Sequence, residues 1–339
     1  MARDQLAQLF REYDEYLSVG SDPYEYIYFP TSVIALNKAF GNVKGIRSGA
    51  IMQVLGEPGR GKTTFSLEII ANAQRQGLLT DIRLPNGKVI NAAFADFERT
   101  FDAGYATKLG VDVDKIQIIR TPYAEQTFDI LLALFEAGLK MAIIDSIAMI
   151  VPKSEDGKDL AKDNVKMASE AQALQRFMKL AVQHVFDANA LLILINQYRS
   201  NISTMGNAPD KKAYGARSIQ YAMQVSVDLT RISRVDNRMT IKAFVEKTKQ
   251  GATGKVVQFD IVHGQGIDKN DHLLEVAAEL NIIEKIGKGW YYYPNKAAPN
   301  ALKGQGSTKA AMVFPMDEIE NKVIKALSVQ TDEEIEDIE

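Results

Sequence analysis

Nine consecutive residues near position 60 have the types and spacing needed to hold a chain of phosphates. They are Gly56-Glu57-Pro58-Gly59-Arg60-Gly61-Lys62-Thr63-Thr64. The run lies between an apolar stretch, Ile51–Leu55, and a helical one, Thr64–Gln76. Glycines let backbone N–H groups turn toward phosphate oxygens, and the helix N-terminus adds the positive end of a dipole. Such a phosphate-binding loop is called a P-loop; in it Lys62 reaches the β- and γ-phosphates and the Thr63 hydroxyl binds Mg²⁺. We therefore predict a nucleotide site and not a chance glycine turn.

Two carboxylates follow apolar runs that read as strands. The run Met141–Asp145 ends in an aspartate, which in a P-loop protein orients the shell of a Mg²⁺ ion. The sequence Asp96-Phe97-Glu98 ends what we expect to be the strand next to the P-loop strand. A carboxylate there can hold the attacking water in line with the γ-phosphate, which makes Glu98 the candidate general base. The alternative is that Glu98 is an exposed turn residue.

The composition is that of a globular protein without an unusual bias. The chain has 339 residues, of which 46% are apolar and 24% charged. A formal charge of −3 excludes a uniformly basic nucleic-acid binder, so DNA affinity would need a local basic patch. With no cysteine there is no disulfide or thiolate zinc site, and His184, His263 and His272 have no metal-ligand spacing. No apolar run has membrane length and the first residues are too charged for a secretory signal, so we expect a cytoplasmic protein without membrane contact.

Strands that alternate with helices position these residues. The predicted strands are Ile51–Leu55, Lys88–Asp96, Ile116–Ile119, Met141–Asp145 and Leu191–Asn196, with helices at Thr64–Gln76, Ala124–Ala137 and Asn164–Val185. This order predicts an α/β fold with a mainly parallel sheet covered on both faces. Three later strand-like runs read as antiparallel additions to one edge of the sheet. They are Tyr221–Leu229, Met239–Lys247 and Lys255–Ile261.

The chain divides into four predicted segments. Residues 1–24 contain an amphipathic helix over 3–17 whose stripe of Leu6, Phe10, Tyr13 and Leu17 either packs on its own domain or makes an oligomer contact. Residues 25–267 form the core, and a hairpin turn at 85–87 interrupts it. Residues 268–330 read as a small α/β appendage. Residues 331–339, with six acids in nine positions, read as a disordered tail.

The segment from Phe94 to Asp112 resembles the part of RecA that carries its catalytic glutamate and its adenine contacts. The resemblance extends from about residue 30 to 295, through Ile144-Asp145-Ser146 and Leu192–Gln197. The motif Val245–Lys249 and the later Gly289-Trp290-Tyr291 are most similar to the phage branch, UvsX. The resemblance implies a RecA-like P-loop core. It also implies an ATP- and Mg²⁺-dependent recombinase of a bacterial or phage-infected cell, which forms helical filaments on single-stranded DNA and pairs it with a duplex. Single-strand-binding and mediator proteins would be its further partners.

Site residues follow from the same resemblance. Glu98 is similar to the water-activating glutamate, Asp102 and Tyr105 to the adenine-edge and stacking contacts, and Gln197 to the γ-phosphate sensor. Lys247 and Lys249 are similar to a lysine pair that crosses the subunit interface to the neighbour's ATP. Considered without the family, these two lysines alternate on a strand and would form a solvated face.

DNA contacts are expected on two loops. The second loop, Tyr198–Tyr214, is polar and basic and contains a glycine, which suits contact with a nucleic-acid backbone. Its candidate contacts are Arg199, Ile202, Lys211 and Lys212, followed by Arg217 just after it; Ile202 resembles the family's apolar residue that wedges between base triplets. The first loop, Lys153–Val165, mixes lysines with acids. An active-site lid is the alternative for either loop.

Two other kinds of protein share parts of this pattern. A hexameric DNA motor of the helicase type has the same core, but we expect it to need an N-terminal collar that the stretch Met1–Leu55 is too short to form. An ATP-switched regulatory scaffold would assemble without acting on DNA.

Overall fold

The structure, a computed structural model, describes residues 2–13, 17, 24–155, 163–200, 211–287 and 289–336. Within those ranges the elements alternate as the sequence predicts, and a large mixed sheet forms the centre. No helix in the described part of the chain is both long enough and apolar enough to cross a membrane.

The helices and strands have the following bounds. The strands are β1 (Tyr28–Phe29), β2 (Ile46–Arg47), β3 (Ala50–Leu55), β4 (Ile82–Arg83), β5 (Val89–Ile90), β6 (Ala92–Asp96), β7 (Ile116–Ile119), β8 (Met141–Asp145), β9 (Leu191–Ile195), β10 (Tyr198–Ser200), β11 (Lys211–Ala213), β12 (Val225–Val235), β13 (Arg238–Thr248), β14 (Val256–Val262), β15 (Gly266–Ile267), β16 (Glu284–Ile286), β17 (Trp290–Tyr293) and β18 (Leu302–Gln305). The helices are α1 (Ala2–Glu12), α2 (Ile34–Phe40), α3 (Lys62–Arg75), α4 (Ala103–Lys108), α5 (Ala124–Glu136), α6 (Asp163–Asp187), α7 (Ala216–Ala222), α8 (Lys269–Glu279), α9 (Gly306–Val313) and α10 (Met316–Glu336). Single 3₁₀ turns lie at Val113–Lys115, Ile147–Met149 and Lys153–Glu155.

The central sheet has nine strands in the order β15-β14-β13-β12-β3-β9-β8-β6-β7. The strands from β7 to β3 are parallel, and β12 also runs parallel to β3 over Val225–Asp228. Antiparallel pairing begins between β12 and β13, so the first of the three late strands was wrongly predicted as an antiparallel addition. The expectation that the strand before Glu98 adjoins the P-loop strand was also wrong, because β9 and β8 separate β6 from β3. Crossover helices make neighbours in sequence different from neighbours in the sheet.

Apolar layers cover both faces of this sheet. One layer packs α2, α3 and α4 through residues such as Phe40, Phe65 and Ile69. The other packs α5, α6 and α7, where the rings of Phe128 and Phe177 stack with centroids 4.1 Å apart. The doubly covered sheet explains why its central strands read as continuous apolar runs instead of alternating ones.

A third apolar cluster joins the beginning of the described core to the C-terminal elements. Ile34 and Val43 are buried in it together with residues of α8, β17, α9 and α10. The first turn of α2 has no side-chain cap from Val33. Instead, the Ala35 N–H donates to Nε2 of His272 on α8 at 3.2 Å. Burial lowers the pKa of His272 below its ordinary value of 6.5, which keeps that nitrogen an acceptor.

Several boundaries differ from the predicted ones. Tyr221 lies in the last turns of α7, and β12 begins only at Val225. The predicted strand Lys88–Asp96 is divided at Asn91: β5 pairs with β4 in the predicted hairpin, whereas β6 joins the main sheet. Helix α10 continues to Glu336, so the backbone of 331–336 is helical where we predicted disorder. Since Ile319 and Val323 already anchor this helix, its extension to Glu336 needs no new nucleus.

The N-terminal helix is amphipathic, as its sequence predicts, but α1 ends at Glu12 and not at residue 17. Leu6, Leu9 and Phe10 on this helix are all exposed, and so are Tyr13 and Leu17 beyond it. Self-packing of the stripe, one of the two alternatives, is therefore not the arrangement in the described residues.

The His272 contact predicts a loss of stability in acid. A lowered pKa in the fold means that the unfolded chain binds the proton more readily, so the contribution is present above about pH 6.5 and is lost as the pH falls below it. Protonation converts Nε2 into a donor facing the Ala35 N–H, and an unpaired buried donor costs about 1–3 kcal/mol. Urea unfolding at pH 7.5 and 5.0 should show this loss, and His272→Gln should reduce it.

The matched control is His263→Gln, since His263 is exposed. It should leave the pH dependence as in the wild type. Equal acid sensitivity of His272→Gln and the wild type would contradict the account.

Candidate active site

The phosphate-binding loop connects β3 to α3, as the motif predicts. Its glycines have positive φ angles of 151° at Gly56, 70° at Gly59 and 79° at Gly61. A Cβ atom on Gly56 would stand 2.6 Å from the backbone oxygen of Leu229 on β12, whereas one on Gly59 would meet nothing within 4 Å. The loop is thus pressed against β12 at its start and open at its middle.

Lys62 is buried at the first position of α3. Its Nζ donates to the backbone oxygens of Gly56 and Glu57, each at 2.9 Å, so the ammonium group closes the loop on itself. Burial lowers the pKa of Lys62, while the carboxylates of Asp145 and Glu98 act in the opposite direction. A cation held by two carbonyl groups in a partly desolvated loop is well placed to bind an anion.

The side chains of Thr63 and Asp145 contact each other at the carboxyl end of β8. The Thr63 hydroxyl donates to Asp145 Oδ2 at 2.6 Å. Asp145 is buried at the end of β8, and this burial raises its pKa from 3.8 to about 6, against the lowering effect of the Thr63 hydrogen bond. A buried carboxylate whose charge is costly favours a nearby cation.

The turn that carries Glu98 is built on two aspartates. The backbone N–H groups of Phe97 and Glu98 donate to the backbone oxygen of Asp145, at 2.8 and 3.2 Å. The buried Asp96 carboxylate accepts from the backbone N–H of Thr100 at 2.9 Å and forms an ion pair with Arg120 at 2.8 Å. These contacts fix the chain on both sides of Glu98, although β6 lies three strands from the P-loop strand.

The Glu98 carboxylate is held by two side chains. Its Oε1 accepts from the Ser146 hydroxyl at 2.5 Å and from Gln197 Nε2 at 2.8 Å. Ser146 follows Asp145, and Gln197 follows β9, so three strand ends converge on one carboxylate. Glu98 is therefore oriented and not a free turn residue.

Tyr105 lies against the helix of the P-loop. Its hydroxyl forms a hydrogen bond with Thr64 Oγ1 at 2.8 Å, and burial raises its pKa. Asp102 caps α4 by accepting the Tyr105 backbone N–H at 2.9 Å. The structure thus brings Asp102, Tyr105 and the P-loop together.

The remaining predicted site residues lie apart from this group. Lys247 is half-buried on β13 and its Nζ donates to the Gln220 oxygen at 2.6 Å, while Lys249 is exposed just after the strand. Burial, and secondarily the charge of Lys249, lower the pKa of Lys247. Arg199, Lys211, Lys212 and Arg217 belong to β10, β11 and α7, but their side chains are outside the described part, as is the whole of Ile202.

Three residues of this arrangement were not selected from the sequence. Ser146, Arg120 and Asn196 each contact a predicted site residue or its support. Ser146 and Asn196 directly adjoin predicted residues, which was an available signal. Arg120 had none, because its partner Asp96 lies 24 positions earlier.

The P-loop on a central strand, the carboxylate ending β8 and the oriented glutamate after β6 define a P-loop ATPase with a RecA-like core. Residues 16–268 match the family model of the RecA N-terminal domain. Protein RecA of Rickettsia canadensis is 31% identical over 271 residues, covering 78% of this chain and 74% of its own. Protein RecA of Rickettsia massiliae is 31% identical over 299 residues, covering 86% and 82%. Protein RecA of Sulfurimonas denitrificans is 30% identical over 312 residues, covering 88% and 84%.

The chain therefore belongs to the RecA family. It is an ATP-dependent recombinase that catalyses homologous pairing and strand exchange, and a DNA-dependent ATPase. It binds nucleotide and DNA and forms homo-oligomers. The helicase-type motor and the regulatory scaffold are not favoured.

Two of the three P-loop glycines, Gly56 and Gly59, make a matched pair of substitutions. Both Gly56→Ala and Gly59→Ala impose a positive φ on alanine, at about 1–3 kcal/mol. Only Gly56→Ala also drives a Cβ into the Leu229 backbone, which adds about 1–3 kcal/mol and displaces the loop. Urea unfolding should rank Gly56→Ala as the less stable variant, and it should bind a fluorescent ATP analogue more weakly. Equal stability and affinity of the two variants would exclude this close approach.

Proposed function

We propose that the protein acts as a helical filament on single-stranded DNA, with ATP and Mg²⁺ held between the P-loop of one subunit and Lys247 and Lys249 of the next. The observation that carries the proposal is the hydrogen bond from Gln197 to Glu98. Gln197 immediately precedes β10 and the second loop. The side chain that contacts the proposed general base is therefore adjacent in sequence to the proposed DNA-binding loop. Turnover and DNA contact are thereby linked within one subunit.

Thr63 and Asp145 fit a Mg²⁺ ion. Both present oxygen atoms, which this hard cation prefers, and Mg²⁺ commonly takes only one or two protein ligands beside phosphates and water. Burial raises the pKa of Asp145 to about 6, so a bound cation would favour its charged form. When bound, the ion would neutralise charge on the terminal phosphates. Lys62 would supply the second positive charge.

Glu98 is proposed as the general base. Ser146 and Gln197 both donate to one of its oxygens, which leaves the carboxylate oriented to accept a proton from water. A γ-phosphate would compete with Glu98 for the Gln197 amide, which is how Gln197 would act as a sensor. Tyr105 is proposed to stack on the adenine, and Asp102 to bind its edge.

The sheet register supports a role in trans for the two lysines. Lys247 pairs with Ser226, which pairs with Gln53 on β3. With strands about 4.8 Å apart, the Lys247 backbone lies roughly 10 Å sideways from β3. It also lies about 10 Å along the strand from Gly56, at about 3.3 Å per residue. A four-carbon side chain directed to Gln220 does not reach its own P-loop from there.

The DNA surface is proposed on the second loop, with Arg199, Ile202, Lys211, Lys212 and Arg217 as contacts. Single-stranded DNA would bind there first and the duplex would follow. The exposed stripe of α1 is proposed to dock on a neighbouring subunit, since an apolar helix face needs a partner. Single-strand-binding and mediator proteins, and a cytoplasmic location, stay predictions of the sequence.

Glu98→Gln tests the catalytic assignment. The amide keeps the size of the side chain but cannot accept the proton, so DNA-stimulated turnover should fall by at least about a hundredfold with ATP binding retained. Lys62→Ala should instead lose ATP binding. Phosphate release and binding of a fluorescent ATP analogue measure the two effects. The control is Glu136→Gln, at an exposed glutamate on α5 paired with His184. Normal turnover of Glu98→Gln on DNA would refute the assignment of the base.

Replacement of both Lys247 and Lys249 by alanine tests the filament contact. The double variant should still bind ATP as a monomer, but should lose filaments in negative-stain images and about a hundredfold in DNA-stimulated turnover. Lys62→Ala subunits keep both lysines, so adding them should partly restore turnover of ATP bound by the double variant. Failure of this rescue, together with weak ATP binding by the double variant alone, would place the lysines in cis.

A further inference from the structure

A line of polar side chains crosses the sheet beneath the P-loop, buried except at its exposed Glu246 end. Asn196 Nδ2 donates to Gln53 Oε1 at 3.1 Å, and Gln53 Nε2 donates to Ser226 Oγ at 3.3 Å. Ser226 Oγ in turn donates to Glu246 Oε2 at 2.8 Å. Asn196, Gln53 and Ser226 are 0, 3 and 0% exposed. The line joins the end of β9 to β3, β12 and β13, four neighbouring strands of the sheet.

At one end, Asn196 holds both ends of the second loop. Its Oδ1 accepts from the Gln197 backbone N–H at 2.8 Å, and its Nδ2 also donates to the Tyr214 oxygen at 2.9 Å. The Tyr214 N–H returns to the Gln197 oxygen at 3.2 Å. The position of Asn196 therefore sets the direction from which the Gln197 side chain approaches Glu98.

At the other end, Glu246 is the extra residue of a β-bulge. Ser226 pairs with Lys247 and Val227 pairs with Val245, so Glu246 has no opposite partner in the ladder. A bulge redirects side chains, and here it directs Glu246 to Ser226. Lys247 is the next residue, so a shift of this lysine toward a neighbour's nucleotide moves the bulge as well.

The donors all point in one direction, from Gln197 through Asn196, Gln53 and Ser226 to the Glu246 carboxylate. Hydrogen bonds aligned in this way polarise one another. Apolar residues would be the cheaper occupants of a buried sheet, because every buried polar group must find a hydrogen-bond partner. A displacement at one end would therefore disturb the hydrogen bonds that lead to the other.

We propose that Gln53 and Ser226 are positioning residues that couple the interface bulge at Glu246 to the sensor Gln197. Contact of Lys247 with the ATP of one subunit then orients Gln197 in the subunit that carries the lysine, which makes turnover cooperative along the filament. The inference rests on the proposed function for the roles of Lys247 and Gln197.

Gln53→Met interrupts the line at its centre with a side chain of similar length. Asn196 keeps the Tyr214 oxygen and Ser226 keeps Glu246, so neither neighbour is left without a partner. On single-stranded DNA, kcat should fall about threefold to tenfold. The Hill coefficient for ATP should fall toward one, while ATP affinity of the monomer, measured with a fluorescent analogue, should be unchanged.

Thr31→Val is the matched control. It also removes a buried polar link, the 2.6 Å hydrogen bond from the Thr31 hydroxyl to Asn37, outside the line. This variant should lose stability in urea but keep the wild-type kcat and Hill coefficient. A wild-type Hill coefficient in Gln53→Met, or an equal loss of cooperativity in Thr31→Val, overturns the inference.

A second pair decides the matter if Gln53→Met does not fold. Ser226→Ala removes the hydroxyl that joins Gln53 to Glu246, whereas Ser226→Thr keeps a hydroxyl at the same position. Cooperativity should be lost in the first and retained in the second, and equal behaviour of the two overturns the inference. A wild type that forms filaments but hydrolyses ATP on DNA without cooperativity overturns this inference alone, whereas a wild type without filaments in negative-stain images overturns the filament proposal and this inference with it.

Discussion

The buried carboxylate at the end of β8 is the constraint on which the site depends. Asp145 accepts the Thr63 hydroxyl through its side chain, and its backbone oxygen holds the N–H groups of Phe97 and Glu98. Its successor, Ser146, donates to Glu98. One strand end therefore sets the distance between the loop that binds phosphates and the glutamate beside it. Burial destabilises the charged form of Asp145 and raises its pKa to about 6, so a cation bound beside it would be stabilising.

Features contained in consecutive residues could be predicted from the sequence, and features made by distant ones could not. The P-loop is local: its glycines, lysine and threonine are contiguous, and the turn they form needs little else. The α/β class followed from the alternation of apolar runs and helical periods. The order of the sheet was misjudged next to Glu98, because periodicity shows that a strand exists and not which strand lies beside it. For the same reason the sequence does not predict the Asp96–Arg120 ion pair. It also does not predict the contact between Asn196 and Gln53, two residues that are 143 positions apart.

The boundaries that moved did so for physical reasons that operate beyond local sequence. Asn91 divides a predicted strand because its side chain binds Asp81 and Gln74, outside the ladder. Tyr221 has strand propensity but lies in α7, because Ile219 of the same helix is buried in the second apolar layer. Tertiary packing overrode intrinsic preference in the case of Tyr221, whereas Asn91 is itself a poor strand residue. Several site roles nevertheless came from resemblance alone; the geometry adds which of those residues touch one another.

The third apolar cluster has a consequence for synthesis of the protein. Ile34 and Val43 are buried against α8, α9 and α10, so the start of the core shares its interior with residues near 320. A ribosome adding roughly 5–20 residues per second needs tens of seconds to pass from one to the other. During that time strands of the sheet can begin to pair while α2 still exposes apolar surface. The nascent chain therefore reaches a long-lived, incompletely closed stage, and chaperones have that interval in which to bind it.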